Sequence, residues 1–103
     1  MERIMTEFID NHFDDIKSDL ADLIAIPSES DDKEKVKEAL RLALKQAEAL
    51  GFRAYSVLDE QVGIVEMGEG SETLGILAHV DVVPAGDPAQ WDSDPYKAEE
   101  RNG

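Results

Sequence analysis

The sequence contains no cysteine, and this absence limits the chemistry available to the chain. Without cysteine there is neither a disulfide framework nor a metal site built on thiolates. Any metal ligands must therefore be histidine, aspartate or glutamate. The absence of cysteine also fits a protein of the reducing cytoplasm, and we expect a cytoplasmic location.

Basic residues are scarce as well. The chain has 10 Lys and Arg against 24 Asp and Glu, which gives a formal net charge of -14. A surface this acidic is repelled by nucleic acid and by anionic membranes, and no basic stripe offsets it. We therefore expect no nucleic-acid and no membrane partner, and we interpret the acidity as a contribution to solubility.

Long hydrophobic runs are also missing. No apolar run approaches the roughly 18 residues of a membrane-spanning helix, and residues 1–7 carry acids without the apolar centre of a signal peptide. What remains is a chain of 103 residues with 42% hydrophobic and 33% charged residues. This composition predicts one soluble globular domain with a modest core.

Two stretches show helical periodicity. In the first, apolar residues recur at helical spacing over residues 9–24, with Thr6 as the expected N-cap. Pro27 is expected to end this helix. The second helix is expected to follow Asp31, which with a glutamate three residues later resembles a capping box. Gly51 is expected to end it in a left-handed conformation.

Three strands are predicted after the second helix. Residues 52–57 and 62–67 form the first two, and Gly63 either weakens the second or marks a close approach of the backbone. Residues 73–80 are mostly apolar and carry no charged residue before His79. This composition predicts a strand buried on both faces. The expected fold is therefore α/β, with two helices packed on a small mixed sheet.

His79 and Asp81 stand at the end of the third predicted strand. Residues two apart in extended chain point to the same side, so these side chains are expected to meet. A neutral imidazole ligates zinc through one nitrogen while a carboxylate accepts the hydrogen bond of the other. The alternative is a strand-end histidine beside a turn-forming aspartate. A bare His-x-Asp pattern favours that alternative, because two residues do not make a zinc site.

The residues around this pair change that balance. The octapeptide HVDVVPAG at residues 79–86 is followed by Trp91 and then by Asp-Pro-Tyr at residues 94–96. Together they closely resemble the signature of the M20 metallopeptidase family, and within it the PepV-type dipeptidases (Xaa-His dipeptidase, carnosinase-like). Further matching segments occur upstream, in chain order, at residues 23–28, 49–52 and 65–70.

The resemblance implies roles for two residues. His79 matches a zinc ligand, and Asp81 matches the catalytic-site acid that orients this ligand. Such enzymes hydrolyse dipeptides with two bridged zinc ions, whose other ligands and general base match nothing in residues 1–103. The chain is thus expected to be the incomplete amino-terminal part of an M20-type catalytic domain, inactive alone and a weak zinc binder. Its substrate-binding residues are not identified.

Several alternatives remain open. The parent protein is a dipeptidase or, with the same metals, an M20 deacylase or aminoacylase. In a different class, the chain is a non-catalytic acidic module that binds a partner through an exposed sheet edge. Such an edge also predicts self-association. Trp91 and Tyr96 either anchor the last loop or shape a substrate pocket, and anchoring is favoured.

Overall fold

The structure, a computed structural model, describes all residues 1–103 and has two helices, one β-hairpin and one short 3-10 turn. The α/β class with two helices and a sheet packed together is confirmed: the second helix packs on both strands, and the first helix packs on the second. Neither helix combines the length and the apolar character of a membrane-spanning segment. The elements are α1 (Glu2–Ile24), α2 (Lys33–Ala49), β1 (Arg53–Val57), β2 (Val62–Glu66) and the 3-10 turn (Pro88–Gln90).

Helix α1 begins earlier than predicted. Thr6 lies inside the helix, where its hydroxyl donates to the carbonyl of Glu2 at 3.0 Å, so its assignment as the N-cap is wrong. Met1 precedes the helix, and no side chain caps the first turn. This turn is exposed, so water can bind its free N–H groups. The helix ends at Ile24, before Pro27, as expected.

Helix α2 is capped by the residue after the predicted one. Asp32 accepts a hydrogen bond from the amide of Lys35 at 3.1 Å. Lys35 is the third helical residue, which is the amide that an N-cap side chain reaches, whereas Asp31 lies one position too early. Gly51 follows the helix with a φ of +92°, which confirms the predicted left-handed end.

The hairpin packs closely on α2 through Gly63. Strands β1 and β2 are antiparallel, with Tyr55 opposite Ile64. A Cβ atom at Gly63 would lie 2.6 Å from Cδ1 of Leu40, so the glycine marks a close approach of the backbone. The hairpin turn is tied to the same helix by Arg41, whose guanidinium donates to both carboxylate oxygens of Glu60 at 2.6 and 2.7 Å.

The third strand predicted from the apolar run is absent, and the sheet contains antiparallel pairing only. Residues 73–80 adopt no regular structure, and Leu77 is fully exposed. A strand buried on both faces needs pairing strands at its edges and elements on its faces. Residues 1–103 provide neither around this segment, so an apolar composition alone does not place it in a sheet.

The core of the chain is thin. Only Ala39 and Ser28 are buried. The accessible surface is 8762 Å², whereas a compact monomer of this mass exposes about 5,800 Å². The radius of gyration is 16.1 Å, against about 13 Å for a compact domain of this length. A large apolar surface therefore remains uncovered, including one side of α1 and residues 74–77.

Candidate functional site

A short loop holds the segment that carries His79 and Asp81. We call residues 28–30 the clamp loop. Its backbone pairs with Val82 twice: the Val82 amide donates to the Ser28 carbonyl at 2.9 Å, and the Ser30 amide donates to the Val82 carbonyl at 3.0 Å. The Ser28 hydroxyl adds a bond to the carbonyl of Val80 at 2.8 Å. These three bonds fix the backbone on both sides of Asp81.

The structure brings His79 and Asp81 together. Nδ1 of His79 lies 2.9 Å from the backbone carbonyl of Asp81 and 3.1 Å from its Oδ1. Both neighbours are acceptors when the carboxylate is ionised, so Nδ1 carries the proton and Nε2 carries the lone pair. The His79 side chain is 82% exposed, which leaves Nε2 open to a ligand.

The Asp81 carboxylate is held from both sides. Its Oδ2 accepts a bond from the Ser30 hydroxyl at 2.6 Å, while Oδ1 faces His79. The Ser30 hydroxyl is the main cause that lowers the pKa of Asp81 below its ordinary value, and the backbone amide of Asp81 and the ring of His79 act in the same direction. Asp81 is half-buried, and this burial acts to raise its pKa, but the pKa remains lowered overall. Asp81 is therefore ionised at neutral pH, as an acceptor for Nδ1–H must be.

The donor chemistry of His79 fits one position of a zinc site. An exposed Nε2 lone pair, with Nδ1–H fixed by a carboxylate, is the usual state of a zinc-bound histidine. Residues 1–103 bring together no group of three His, Asp or Glu side chains that could hold a metal. The chain thus provides one ligand position with its orienting partner.

An open apolar cleft of about 590 Å³ lies beside His79, between α1, the clamp loop and the last third of the chain. Trp91 and Tyr96 line it and also tie down the irregular segment. The Trp91 ring N–H donates to the Ala85 carbonyl at 2.8 Å. The Tyr96 hydroxyl donates to the Glu29 carboxylate at 2.6 Å, and this bond is the main cause that raises the pKa of Tyr96. These contacts support the anchoring interpretation.

The clamp loop is the part of the site that sequence reasoning missed. Residues 28–32 read as a polar connection, since serine and acidic residues are common between helices. One available signal was the pair of hydroxyls at Ser28 and Ser30, one and three residues after Pro27. Their partners lie 52 and 51 residues further along the chain, so local patterns did not reveal them.

The chain therefore presents a histidine oriented by a carboxylate, the arrangement found at one ligand position of metal-dependent hydrolases. Comparison with known proteins finds relatives that are named as dipeptidases. Over 70 residues it is 47% identical to the Bacillus subtilis (strain 168) protein named "Putative dipeptidase YtjP", covering 68% of this chain and 14% of that protein. Over 100 residues it is 39% identical to the Staphylococcus aureus (strain USA300) protein named "Putative dipeptidase SAUSA300_1697", covering 88% of this chain and 21% of that protein.

These relatives are much longer than the matched region. The chain spans between 14% and 21% of their length. No family model matches the sequence, and no solved structure matches it. The similarity is thus to proteins named as dipeptidases, over one part of their length.

Proposed function

We propose that this chain is the amino-terminal part of the catalytic domain of a zinc-dependent dipeptidase of the M20 type. His79 is one of its zinc ligands, and Asp81 is the acid that orients His79. The observation that carries the proposal is the bond from His79 Nδ1 to Asp81, which leaves Nε2 exposed as a ligand. The similarity to proteins named as dipeptidases supports the choice of reaction.

Each residue of the pair has a defined task. Asp81 keeps the proton on Nδ1 and so keeps the lone pair on Nε2, the nitrogen that would bind zinc. It also holds the ring in one orientation, because Oδ1 and the backbone carbonyl of the same residue flank Nδ1. Zinc, when bound, lowers the pKa of a coordinated water and polarises the scissile carbonyl. The general base is assigned to no residue of 1–103.

Two structural features support the assignment of the chain as one part of a larger domain. Its accessible surface of 8762 Å² exceeds the value of about 5,800 Å² expected for a compact monomer of this mass. Leu74, Ile76 and Leu77 are each at least 85% exposed, although their apolar run is typical of a strand covered on both faces. Further polypeptide that pairs with this segment would remove both anomalies.

The test is His79→Ala in the longest natural form of the protein. We expect loss of bound zinc and at least about a 100-fold fall in dipeptide hydrolysis, because even loss of an orienting partner alone costs 10–100-fold. Metal analysis and a substrate panel of dipeptides and N-acyl amino acids measure these effects. The panel separates a dipeptidase from an aminoacylase or deacylase.

The matched control is His12→Ala. His12 is the other histidine of the chain, and it lies exposed on α1, where Nδ1 contacts the carbonyl of Phe8 at 2.8 Å. Its replacement should leave zinc content and hydrolysis unchanged. A His79→Ala protein with the zinc content and activity of the unmodified protein would refute the proposed function.

A further inference from the structure

We propose that Ser30 is a positioning residue, whose hydroxyl fixes the Asp81 carboxylate and through it the ring proton of His79. The proposal rests on the proposed function, because it gives Ser30 a role in presenting His79 to zinc. Ser30 touches neither the ring nor a metal position itself, and it acts only through Asp81.

The geometry divides the two carboxylate oxygens between two donors. Oδ2 receives the Ser30 hydroxyl at 2.6 Å, and Oδ1 receives His79 Nδ1–H at 3.1 Å. The hydroxyl has one proton and a second acceptor, the Val82 carbonyl, at 3.3 Å. A hydroxyl–carboxylate hydrogen bond of 2.5–2.7 Å is stronger than a hydroxyl–carbonyl bond of 3.3 Å. The Ser30 hydroxyl therefore donates its proton to the Asp81 carboxylate. Without it, the carboxylate is free to rotate and turn Oδ1 away from the ring.

The hydroxyl is itself held in place before any ligand binds. The Ser30 amide donates to the Val82 carbonyl, so the backbone that carries the hydroxyl is paired with the backbone that follows Asp81. The preceding residue, Glu29, is fixed by the Tyr96 hydroxyl at 2.6 Å. Ser30 therefore pays little conformational entropy to orient Asp81, which is the condition for an effective supporting group.

The two serines of the clamp loop offer a matched comparison. Ser28 is buried and donates to a backbone carbonyl, that of Val80. Ser30 is exposed and donates to the carboxylate of Asp81. Ser28→Ala and Ser30→Ala each delete one hydroxyl from the same loop, but only Ser30→Ala deletes a bond to the Asp81 carboxylate. Ser30→Thr retains the hydroxyl, and the exposed position has room for the added methyl group.

The experiment uses the longest natural form of the protein with ¹⁵N-labelled histidine rings, freed of metal, at a pH where the rings are neutral. The ¹⁵N shifts of His79 report which nitrogen carries the proton. We expect mainly the Nδ1–H tautomer in the unmodified protein and recovery of it in Ser30→Thr. In Ser30→Ala we expect a larger share of the Nε2–H tautomer, although the backbone carbonyl of Asp81, 2.9 Å from Nδ1, still favours Nδ1–H. Ser28→Ala should change the tautomer less than Ser30→Ala does, even if it lowers the melting temperature more, because it deletes a bond to the Val80 backbone and none to the Asp81 carboxylate. Zinc affinity, measured by titration with zinc alone, should fall about 10-fold in Ser30→Ala.

Three results would overturn the assignment. An Nδ1–H tautomer and a zinc affinity unchanged in Ser30→Ala would show that Asp81 needs no support. Equal changes in Ser28→Ala and Ser30→Ala would reduce Ser30 to a structural residue of the loop. Failure of the unmodified protein to bind zinc would remove the role in metal binding and the proposed function together, whereas the first two results leave the proposed function intact.

Discussion

The two parts of the molecule differ in where their contacts go. The helix–hairpin part, residues 1–66, contains every helix longer than one turn and both strands, and the hairpin packs on α2 within this part. The site-bearing part, residues 67–103, contains one 3-10 turn, and its backbone pairing outside that turn includes the bonds of Val82 to the clamp loop. Regular structure thus forms where the chain supplies a continuous backbone pairing, whereas around the candidate site it supplies only the short pairing of Val82 with the clamp loop.

The apolar side chains of the two parts differ in the same way. Leu40 and Leu44 of α2 fill the space beside Gly63 of β2, where a Cβ atom would lie 2.6 and 3.1 Å from their methyl groups. Leu74 and Leu77 are as apolar, yet they are 87% and 100% exposed. Hydrophobic burial stabilises by about 25 cal/mol per Å² of apolar surface removed from water, and this term is missing for the second pair. The stability of residues 1–103 therefore depends on the helix–hairpin part.

The largest effect that separates the two parts is expected from introducing a buried charge. Ala39 is 1% exposed, so Ala39→Asp takes a carboxylate out of water and into the packed part of the molecule. We expect a loss of unfolding free energy on the order of 3 kcal/mol or more. Urea denaturation followed by circular dichroism measures it.

Leu77→Asp is the matched change in the site-bearing part. In residues 1–103 by themselves Leu77 is fully exposed, so the change should shift the unfolding free energy of this 103-residue chain by less than about 0.5 kcal/mol. Equal costs for the two substitutions would contradict the division of the chain into a packed part and an uncovered part.

A glycine in each part gives a second, smaller contrast. Valine at Gly63 would force Leu40 and Leu44 away from β2, since a Cβ there already lies 2.6 Å from Cδ1 of Leu40. Overpacking of this kind costs about 1–3 kcal/mol. A Cβ at Gly75 meets no atom within 4 Å, so Gly75→Val is expected to be nearly neutral. Thermal unfolding of both variants tests this, and a Gly63→Val protein as stable as Gly75→Val would count against the close approach.

The parts also differ in how far sequence reasoning reached. The helices were predicted because their apolar residues recur three or four positions apart, a pattern visible over a short stretch of sequence. Gly51 was predicted to end α2 because a left-handed helix end favours glycine. The cap of α2 was misplaced by one residue, since Asp31 and Asp32 are chemically equal and only the distance to the Lys35 amide decides between them. Local signals thus predicted both helices and where they end, but misplaced where they begin.

In the site-bearing part, the same reasoning predicted the contact between His79 and Asp81 but not the backbone structure around them. The meeting of His79 and Asp81 followed from their spacing, and the structure brings them together without a strand. The prediction of a third strand was wrong because an apolar run forms a buried strand only where other segments pair with it and cover it. Ser30 was not found because its bond to Asp81 spans 51 residues, and no periodic pattern encodes a contact at that distance.

The smallest expected effect concerns the ion pair that joins the hairpin turn to α2. Arg41 lowers the pKa of Glu60, chiefly by its hydrogen bonds and further by its charge. A carboxyl group whose pKa is lower in the folded state stabilises the fold above its ordinary pKa, and that contribution is lost as the pH falls through the lowered value. Glu60→Gln should therefore have a slightly lower melting temperature than the unmodified protein at pH 7, and the difference should vanish in acid.

Arg41→Gln provides the control for this pair. In that background, Glu60 has lost the guanidinium that lowers its pKa, so Glu60→Gln should change the melting temperature much less at pH 7, and the difference should depend less on pH. The pair is partly exposed, and added salt should weaken its contribution further. Melting temperatures of the four proteins of this cycle, at neutral and acidic pH, measure the coupling. A pH-dependent effect of Glu60→Gln that persists undiminished without Arg41 would show that the hairpin turn is held by contacts other than this ion pair.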